Sequence, residues 1–134
     1  MKWEDQSKLS ELRDVLDKLK KEGSVILVEG SQDKKSLRNL GVTNEIVKLS
    51  ENSKAFFEIT EQIAEKYDNA IILTDWDAHG EKLSSKIHKL LQKNGVTPND
   101  WYRRKLKAML LKEISDVESL YTYLGKQEKE KDRI

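Results

Sequence analysis

Two short apolar runs constrain the fold of this chain more than any other feature. Residues 24–28 (SVILV) and 70–74 (AIILT) are continuous and rich in β-branched side chains. Such runs are typical of strands buried on both faces, as in a parallel sheet. The stretches around them have apolar residues at helical spacing, so strands alternate with helices. This alternation predicts an α/β domain with a small central parallel sheet flanked by helices.

Periodic apolar positions predict the helices around these strands. The expected helices cover residues 7–22, 32–40, 53–67, 81–92, 101–112 and 116–124. A shorter run at 46–49 (IVKL) is a further candidate strand. We expect one domain over residues 1–124, which includes an N-terminal helix, and a charged tail over 125–134 that frays.

Composition narrows the chemistry that the 134-residue chain can carry. Because it has no cysteine, disulfides, a thiol nucleophile and thiolate zinc sites are excluded. Two histidines are too few for a histidine-rich metal centre. No apolar stretch approaches the roughly 20 residues of a membrane span, and the first residues lack the apolar core of a signal peptide. We therefore expect a cytoplasmic protein with no membrane partner.

Acidic residues follow both predicted buried strands. Glu29 comes directly after the first run, and Asp75 and Asp77 follow the second. Since ligands of open α/β sheets bind beyond the carboxyl ends of the strands, these carboxylates are expected to converge. Clustered carboxylates repel one another unless a cation compensates them, and oxygen ligands favour Mg²⁺ or Mn²⁺. The pattern predicts a divalent metal site, while a solvated acidic turn is the alternative for each motif alone.

Both acidic segments resemble the sequence motifs of Toprim domains. Residues 28–37 (VEGSQDKKSL) are similar to the first motif, in which Glu-Gly follows a strand and an Asp lies three positions after the Gly. Residues 72–83 (ILTDWDAHGEKL) are similar to the second motif, an Asp-x-Asp followed by Gly-Glu at the start of a helix. This Gly-Glu form is seen in type IA topoisomerases and in small Toprim nucleases. The resemblance spans roughly residues 23–124 and implies the Rossmann-like Toprim fold.

The resemblance implies Mg²⁺-dependent chemistry on phosphodiester bonds, with Mn²⁺ as the alternative ion. Glu29 matches the glutamate proposed in the family as general acid/base, which is also reported near the metal. Asp75 and Asp77 match the metal-ligating pair. A divalent ion stabilises charge on phosphate oxygens and activates water, so these roles agree with the chemistry of the reaction.

Further positions of the motifs imply supporting roles. Asp33 and Glu81 match acidic positions of the nuclease and topoisomerase branches, and we take them as additional catalytic candidates. Gly30 and Gly80 match glycines that let backbone and phosphate approach closely. Trp76, between the two aspartates, either packs beneath the site or stacks on a base, and packing is the favoured interpretation.

A basic segment offers a surface for nucleic acid despite a net charge of only +1 for the whole chain. Residues 81–112 contain nine lysines and arginines and two acidic residues. Arg103, Arg104 and Lys105 follow two aromatic residues, and arginine forks match phosphate geometry. We expect these three residues and Lys82 to contact phosphates.

Four lysines of this segment fall on one stripe of a predicted helix. A solvated helix face and a nucleic-acid surface are equally favoured interpretations of such a stripe. Its members are Lys82, Lys86, Lys89 and Lys93.

A small metal-dependent nuclease is the activity that these features favour. The chain lacks a tyrosine in the context that topoisomerases use and lacks cysteines for a primase zinc domain. RNA is favoured over DNA as the substrate, by analogy alone. A nucleotidyl transferase and a non-catalytic nucleic-acid-binding or assembly module remain the alternatives. The sequence gives no indication of an oligomer.

Overall fold

Four parallel strands form the central sheet in the computed structural model, which describes residues 3–49 and 56–132, with side chains for 7–49 and 56–130. The predicted α/β fold with a central parallel sheet is confirmed. Three of the strands lie at the predicted apolar runs, and the fourth was not predicted. The strands are β1 (Val25–Val28), β2 (Ile46–Lys48), β3 (Asn69–Ile72) and β4 (Thr97–Asn99).

Helices alternate with these strands along the described parts of the chain. The predicted bounds agree with the observed ones to within a few residues for most helices, and residues 53–55 of the third predicted helix lie outside the described residues. The helices are α1 (Trp3–Lys21), α2 (Ser31–Asn39), α3 (Phe56–Lys66), α4 (Ala78–Lys93), α5 (Trp101–Leu110) and α6 (Leu120–Asp132).

The strand order β2-β1-β3-β4 places a topological switch point between β1 and β3. From β1 the chain moves outward to β2 on one side, and from β3 it moves outward to β4 on the other. Crevices that open beyond the carboxyl ends of strands at such a point are the usual ligand sites of doubly wound sheets. The residues that follow β1 and β3 therefore stand at the position where this fold binds ligands.

Two apolar cores cover the two faces of the sheet. Alternate strand residues such as Ile26 and Ile71 pack with helices α1, α2, α5 and α6. Their neighbours, among them Leu27 and Ile72, pack with α3 and α4. Burial on both faces accounts for the continuous apolar runs, because all of β1 and residues 70–72 of β3 are buried between helix layers.

One strand was not predicted, and the last helix has other bounds than expected. Residues 97–99 form strand β4 at the sheet edge, where Pro98 is tolerated because an edge strand needs hydrogen bonds on only one side. The last helix begins at Leu120 and continues to Asp132, whereas we expected it at 116–124. This extension is held against α1, where Arg13 pairs with Glu128. Fraying of residues 125–134 stays a prediction. Residues 133–134 of the expected tail lie outside the described residues.

None of the helices that the structure describes combines the length and apolar character needed to span a bilayer.

Candidate active site

Glu29 and Asp75 meet at the switch point of the sheet. Glu29 directly follows β1, and its Oε2 accepts a hydrogen bond from the backbone N–H of Asp75, at 2.8 Å. The Glu29 side chain is 15% exposed, and its Oε1 lies 3.5 Å from Nε2 of His79. This contact links the ends of two neighbouring strands, as the sequence predicted from the acidic residue after each run.

The carboxylate of Asp75 is crowded by other acids. Its Oδ1 accepts a hydrogen bond from the backbone N–H of Val117, at 3.0 Å. Burial raises the pKa of Asp75 to about 7, and the negative charges of Asp33, Glu29 and Asp116 add to the rise. Burial and the neighbouring carboxylates therefore both disfavour the charged form of Asp75 in the metal-free protein.

Asp33 supports the first loop of the site from within. It is buried, and its Oδ2 accepts a hydrogen bond from the backbone N–H of Gly30, at 3.1 Å, at the start of α2. Burial raises the pKa of Asp33, while the hydrogen bond from Gly30 opposes the rise. Its position fixes the turn that carries Glu29, so Asp33 acts on the geometry of the site more directly than on a substrate.

Asp77 and Gly80 close the second loop. Asp77 is the N-cap of α4, and its Oδ1 accepts a hydrogen bond from the backbone N–H of Gly80, at 2.8 Å. A Cβ at position 80 would lie 1.7 Å from the carbonyl oxygen of Asp75, so only glycine fits without moving the loop. The hydroxyl of Thr74 donates to the Gly80 carbonyl at 2.9 Å and completes the closure.

Arg103 lies behind this loop and does not face solvent. It is 3% exposed, and its guanidinium donates to the carbonyl oxygens of Thr74, at 3.1 Å, and Asp75, at 2.8 Å. Its Nη1 pairs with Oε1 of Glu81 at 2.8 Å. The expectation that Arg103 contacts phosphate is therefore corrected, because its donors are used to hold the backbone of the site.

Glu81 is the counter-ion of this arginine. Hydrogen bonds from Arg103, and to a lesser degree from Lys107 at 3.2 Å, lower its pKa although burial opposes the change. A carboxylate held in its charged form by two cations is a poor proton donor. Its contacts favour a role in positioning Arg103 over the catalytic role that we expected.

The remaining predicted phosphate contacts differ in their availability. Arg104 pairs with Asp100 at 3.0 Å, and Lys105 pairs with Glu11 of α1 at 2.7 Å. Lys82 is exposed on α4, and no acidic partner lies within ion-pairing distance of it among the described residues.

Trp76 packs beneath the site, which confirms the favoured interpretation. It is 2% exposed, its Nε1 donates to the carbonyl of Ile114 at 2.7 Å, and its backbone N–H donates to the carbonyl of Ser115 at 2.9 Å. These bonds fasten the loop after β3 to the segment between α5 and α6.

That segment brings acids to the site that sequence reasoning missed. Asp116 raises the pKa of Asp75, and Glu118 raises that of Asp33, by charge repulsion. Both residues lie between two helices with no motif around them. The only available signal was the apolar pair Ile114 and Val117, which indicated packing but not the partner.

A hard divalent ion fits the donors of this site. Among the described residues no three acidic or histidine side chains form a ready metal shell. Mg²⁺, however, is held by one or two carboxylates together with water and phosphate. No lysine or arginine of the described ranges pairs with Asp33 or Asp75, so a cation would relieve the repulsion around them. Joint ligation by Glu29, Asp75 and Asp77 stays a prediction.

The parallel sheet and its acidic switch point define a Rossmann-like α/β domain. Residues 24–109 match the Toprim domain family, which confirms the resemblance seen in the two motifs. The chain belongs to this family. At the level of the family, the Toprim domain is associated with metal-dependent chemistry on nucleic acids.

Relatives of similar size occur in archaea. A UPF0292 protein of Methanosarcina acetivorans is 39% identical over 119 residues, covering 89% of this chain and 81% of the relative. A UPF0292 protein of Pyrococcus horikoshii is 40% identical over 108 residues, covering 81% of this chain and 80% of the relative. A solved structure of a protein from Aquifex aeolicus is similar with a TM-score of 0.71 and 31% identity, covering 81% of this chain and 96% of that one.

Proposed function

We propose that this protein is a Mg²⁺-dependent nuclease that hydrolyses phosphodiester bonds of RNA or DNA at the edge formed by Glu29 and Asp75. The observation that carries the proposal is the 2.8 Å hydrogen bond from the Asp75 N–H to Glu29 Oε2 at the switch point. It brings the two motifs of the family together where doubly wound sheets bind ligands.

Glu29 is suited to move a proton at this position. Its Oε2 is held by the Asp75 N–H, so the carboxylate is fixed while Oε1 lies near His79. In hydrolysis the attacking water loses a proton and the leaving oxygen gains one, and a fixed carboxyl group can take up or return that proton. Glu29, Asp75 and Asp77 would hold Mg²⁺ or Mn²⁺, and the bound ion would supply charge neutralisation at the phosphate and activation of a water.

Two helix N-termini favour phosphate at the same edge. Helix α2 begins at Ser31 directly after Glu29-Gly30, and α4 begins at Ala78 directly after Asp77. The backbone dipole of a helix N-terminus attracts anions. The phosphodiester group would therefore be attracted by the backbone, although the side chains of the site are acidic.

Arg103 and Trp76 keep the loop after β3 in place. Arg103 holds the carbonyls of Thr74 and Asp75, and Trp76 is anchored to the segment before α6. Neither residue needs to touch the substrate. Their burial supports a site whose geometry is set before the substrate binds.

The test is cleavage of end-labelled hairpin RNA, single-stranded RNA and duplex DNA with Mg²⁺, with Mn²⁺, or with EDTA. Asp75→Asn protein, purified in the same way, controls for contaminating nucleases. We expect the wild type to cleave when the metal is present and to release fragments whose 5′ and 3′ ends are not attached to the protein. We expect no cleavage in EDTA or with Asp75→Asn. A covalent adduct between protein and nucleic acid, extension of the strand, or absence of cleavage on every substrate would contradict hydrolysis.

A further inference from the structure

One face of α4 carries a row of exposed lysines. The four lysines that the sequence placed on one stripe are all exposed, and they lie within about 60° of arc around the helix axis at 100° per residue. Buried residues such as Ile87 and Leu91 occupy the opposite side of the helix. The stripe consists of Lys82, Lys86, Lys89 and Lys93, which we call the α4 lysine stripe.

Four of the five other cations of the basic segment are neutralised within the protein, and Lys112, in the turn after α5, is the exception. Arg103 and Lys107 pair with Glu81, and Arg104 and Lys105 have acidic partners of their own. No lysine of the α4 stripe forms an ion pair with a residue of the described ranges. Within the basic segment, the charge available to a polyanion thus lies mainly on α4 and not on the Arg103–Lys105 cluster.

An ordinary solvated helix face would not be built this way. The three successive pairs in the stripe are three or four residues apart, a spacing at which like charges destabilise a helix. The neighbouring helix α3 has acids on its exposed positions, Glu58, Glu61 and Glu65, whereas the exposed face of α4 has none. A glutamate in the stripe would relieve the repulsion, so its absence indicates that the charge serves binding.

The stripe starts beside the proposed active site. Lys82 lies five residues after the N-cap Asp77, which is about 7 Å along the helix axis, and the stripe extends about 16 Å further. At about 3.4 Å of axial rise per nucleotide, this length matches roughly five nucleotides of one strand in a duplex. A strand whose phosphodiester bond lies at Glu29 and Asp75 can therefore continue along α4.

The side chains along the stripe favour backbone contact over base contact. The groove beside the lysines also contains Ser85, Leu90 and Gln92. His79 lies in the first turn of α4, and no residue of α4 after it is an exposed aromatic. Proteins that hold single strands stack the bases on aromatic side chains. Lys86 instead covers the ring of Phe56, with Nζ 4.9 Å from the ring centroid.

We infer that the α4 lysine stripe binds the phosphate backbone of a helical segment of nucleic acid that flanks the reacting bond. The inference rests on the proposed function for the position of that bond, but the binding itself does not require catalysis. The substrate is then structured, and the protein reads its shape and charge without reading its sequence along this flank.

Two variants with equal changes of charge distinguish binding by this surface from general electrostatic attraction to the whole protein. The α4 variant is K82Q/K86Q/K89Q/K93Q. The control variant removes four exposed lysines that lie on α1, on α6 and in the turn after α5, where the opposite face of the sheet is covered. None of the four forms an ion pair with the described residues. The control variant is K21Q/K112Q/K126Q/K129Q. Circular dichroism melting verifies that both variants fold.

The measurement is the dissociation constant for a 12-base-pair hairpin, in EDTA, between 50 and 200 mM salt. Each phosphate contact contributes a slope of about 0.9 in log Kd against log salt. The wild type should lose up to about 100-fold more affinity across this range than the α4 variant, and the control variant should resemble the wild type. Equal losses in both variants, or wild-type binding by the α4 variant, would overturn the inference.

Further arms identify the ligand and separate this inference from the nuclease proposal. If the wild type binds a single strand of equal length more tightly than the hairpin, the assignment of a helical segment as the ligand is overturned. Stripe-dependent binding to anionic vesicles but not to the hairpin would overturn the nucleic-acid assignment. If the wild type cleaves and the α4 variant has the same KM as the wild type, the inference about the stripe fails and the nuclease proposal is retained. If binding depends on the stripe but nothing is cleaved, the nuclease fails and the stripe stands.

Discussion

Nη2 of Arg103 donates a hydrogen bond to the carbonyl oxygen of Asp75 at 2.8 Å, from the interior side of the loop that carries the acidic site. The two residues are far apart in sequence, and the arginine is buried with Glu81 as its counter-ion. This contact makes Arg103 a support of the active-site loop.

Removing this support should cost both stability and activity. We expect Arg103→Gln to lower the free energy of unfolding by about 1–3 kcal/mol, since it leaves two loop carbonyls without a donor. Urea unfolding measures the loss. Arg104→Gln is the matched control, because its exposed pair with Asp100 should contribute less than about 1 kcal/mol. Equal losses in the two variants would contradict the role assigned to Arg103.

Gly80 and Gly125 should respond to alanine with opposite signs. In Gly80→Ala the new Cβ meets the carbonyl oxygen of Asp75, so the loop must move and we expect a loss of stability of several kcal/mol. Gly125 lies inside α6 with nothing within 4 Å of a Cβ, so Gly125→Ala should stabilise by about 0.5–1 kcal/mol. Thermal denaturation of both variants tests the pair. Stabilisation by Gly80→Ala would show that the loop is not closed as described.

The metal-free protein should become less stable as the pH rises through neutrality. The pKa of Asp75 is about 7 in the folded protein, and its ordinary value is 3.8. Between these two pH values the folded protein therefore binds a proton more tightly than the unfolded chain does. The stabilisation is complete below pH 3.8 and is lost as the pH rises through 7. Asp75→Asn removes this dependence and keeps an oxygen for the N–H of Val117.

Urea unfolding in EDTA at pH 5 and pH 8 measures the effect. The wild type should lose more stability between the two pH values than Asp75→Asn, whereas Asp14→Asn, an exposed change on α1, should follow the wild type. Mg²⁺ should restore stability at pH 8 in the wild type and not in Asp75→Asn, since a bound cation favours the charged carboxylate. Parallel pH profiles for the wild type and Asp75→Asn would argue against a crowded carboxylate at this position.

Trp76 should affect folding without affecting affinity. Trp76→Phe leaves the carbonyl of Ile114 without its donor in a buried position, which should cost about 1–3 kcal/mol of stability. Because the ring is 2% exposed, hairpin binding at low temperature should stay within about twofold of the wild type. A large loss of affinity with unchanged stability would favour base stacking by Trp76.

The sequence was sufficient to predict the parallel sheet and the meeting of Glu29 with Asp75. Both predictions depend on short-range patterns, since buried strands need continuous apolar runs and the carboxyl ends of parallel strands share one edge. The fold could therefore be inferred before any contact was known, and the family was indicated by the resemblance of the two acidic motifs.

The parts that could not be predicted depend on contacts between distant segments. Strand β4 contains Pro98 and is only three residues long, so its pattern is that of a turn. The burial of Arg103 depends on carbonyls nearly thirty residues away in sequence, and charge pattern alone cannot identify such partners. Asp116 reaches the site because Trp76 and Asp75 both bind the segment before α6, at Ile114 and Val117.

The central claim is that Glu29 and Asp75 perform metal-dependent hydrolysis at the switch point. Single-turnover cleavage of a hairpin with Mg²⁺, compared among the wild type, Glu29→Gln, Asp75→Asn and Asp14→Asn, tests it most directly. We predict rates reduced by about 100-fold or more in the first two variants, since each loses a charged carboxylate of the site, and an unchanged rate in Asp14→Asn. Cleavage at the wild-type rate by Glu29→Gln and Asp75→Asn would contradict the account.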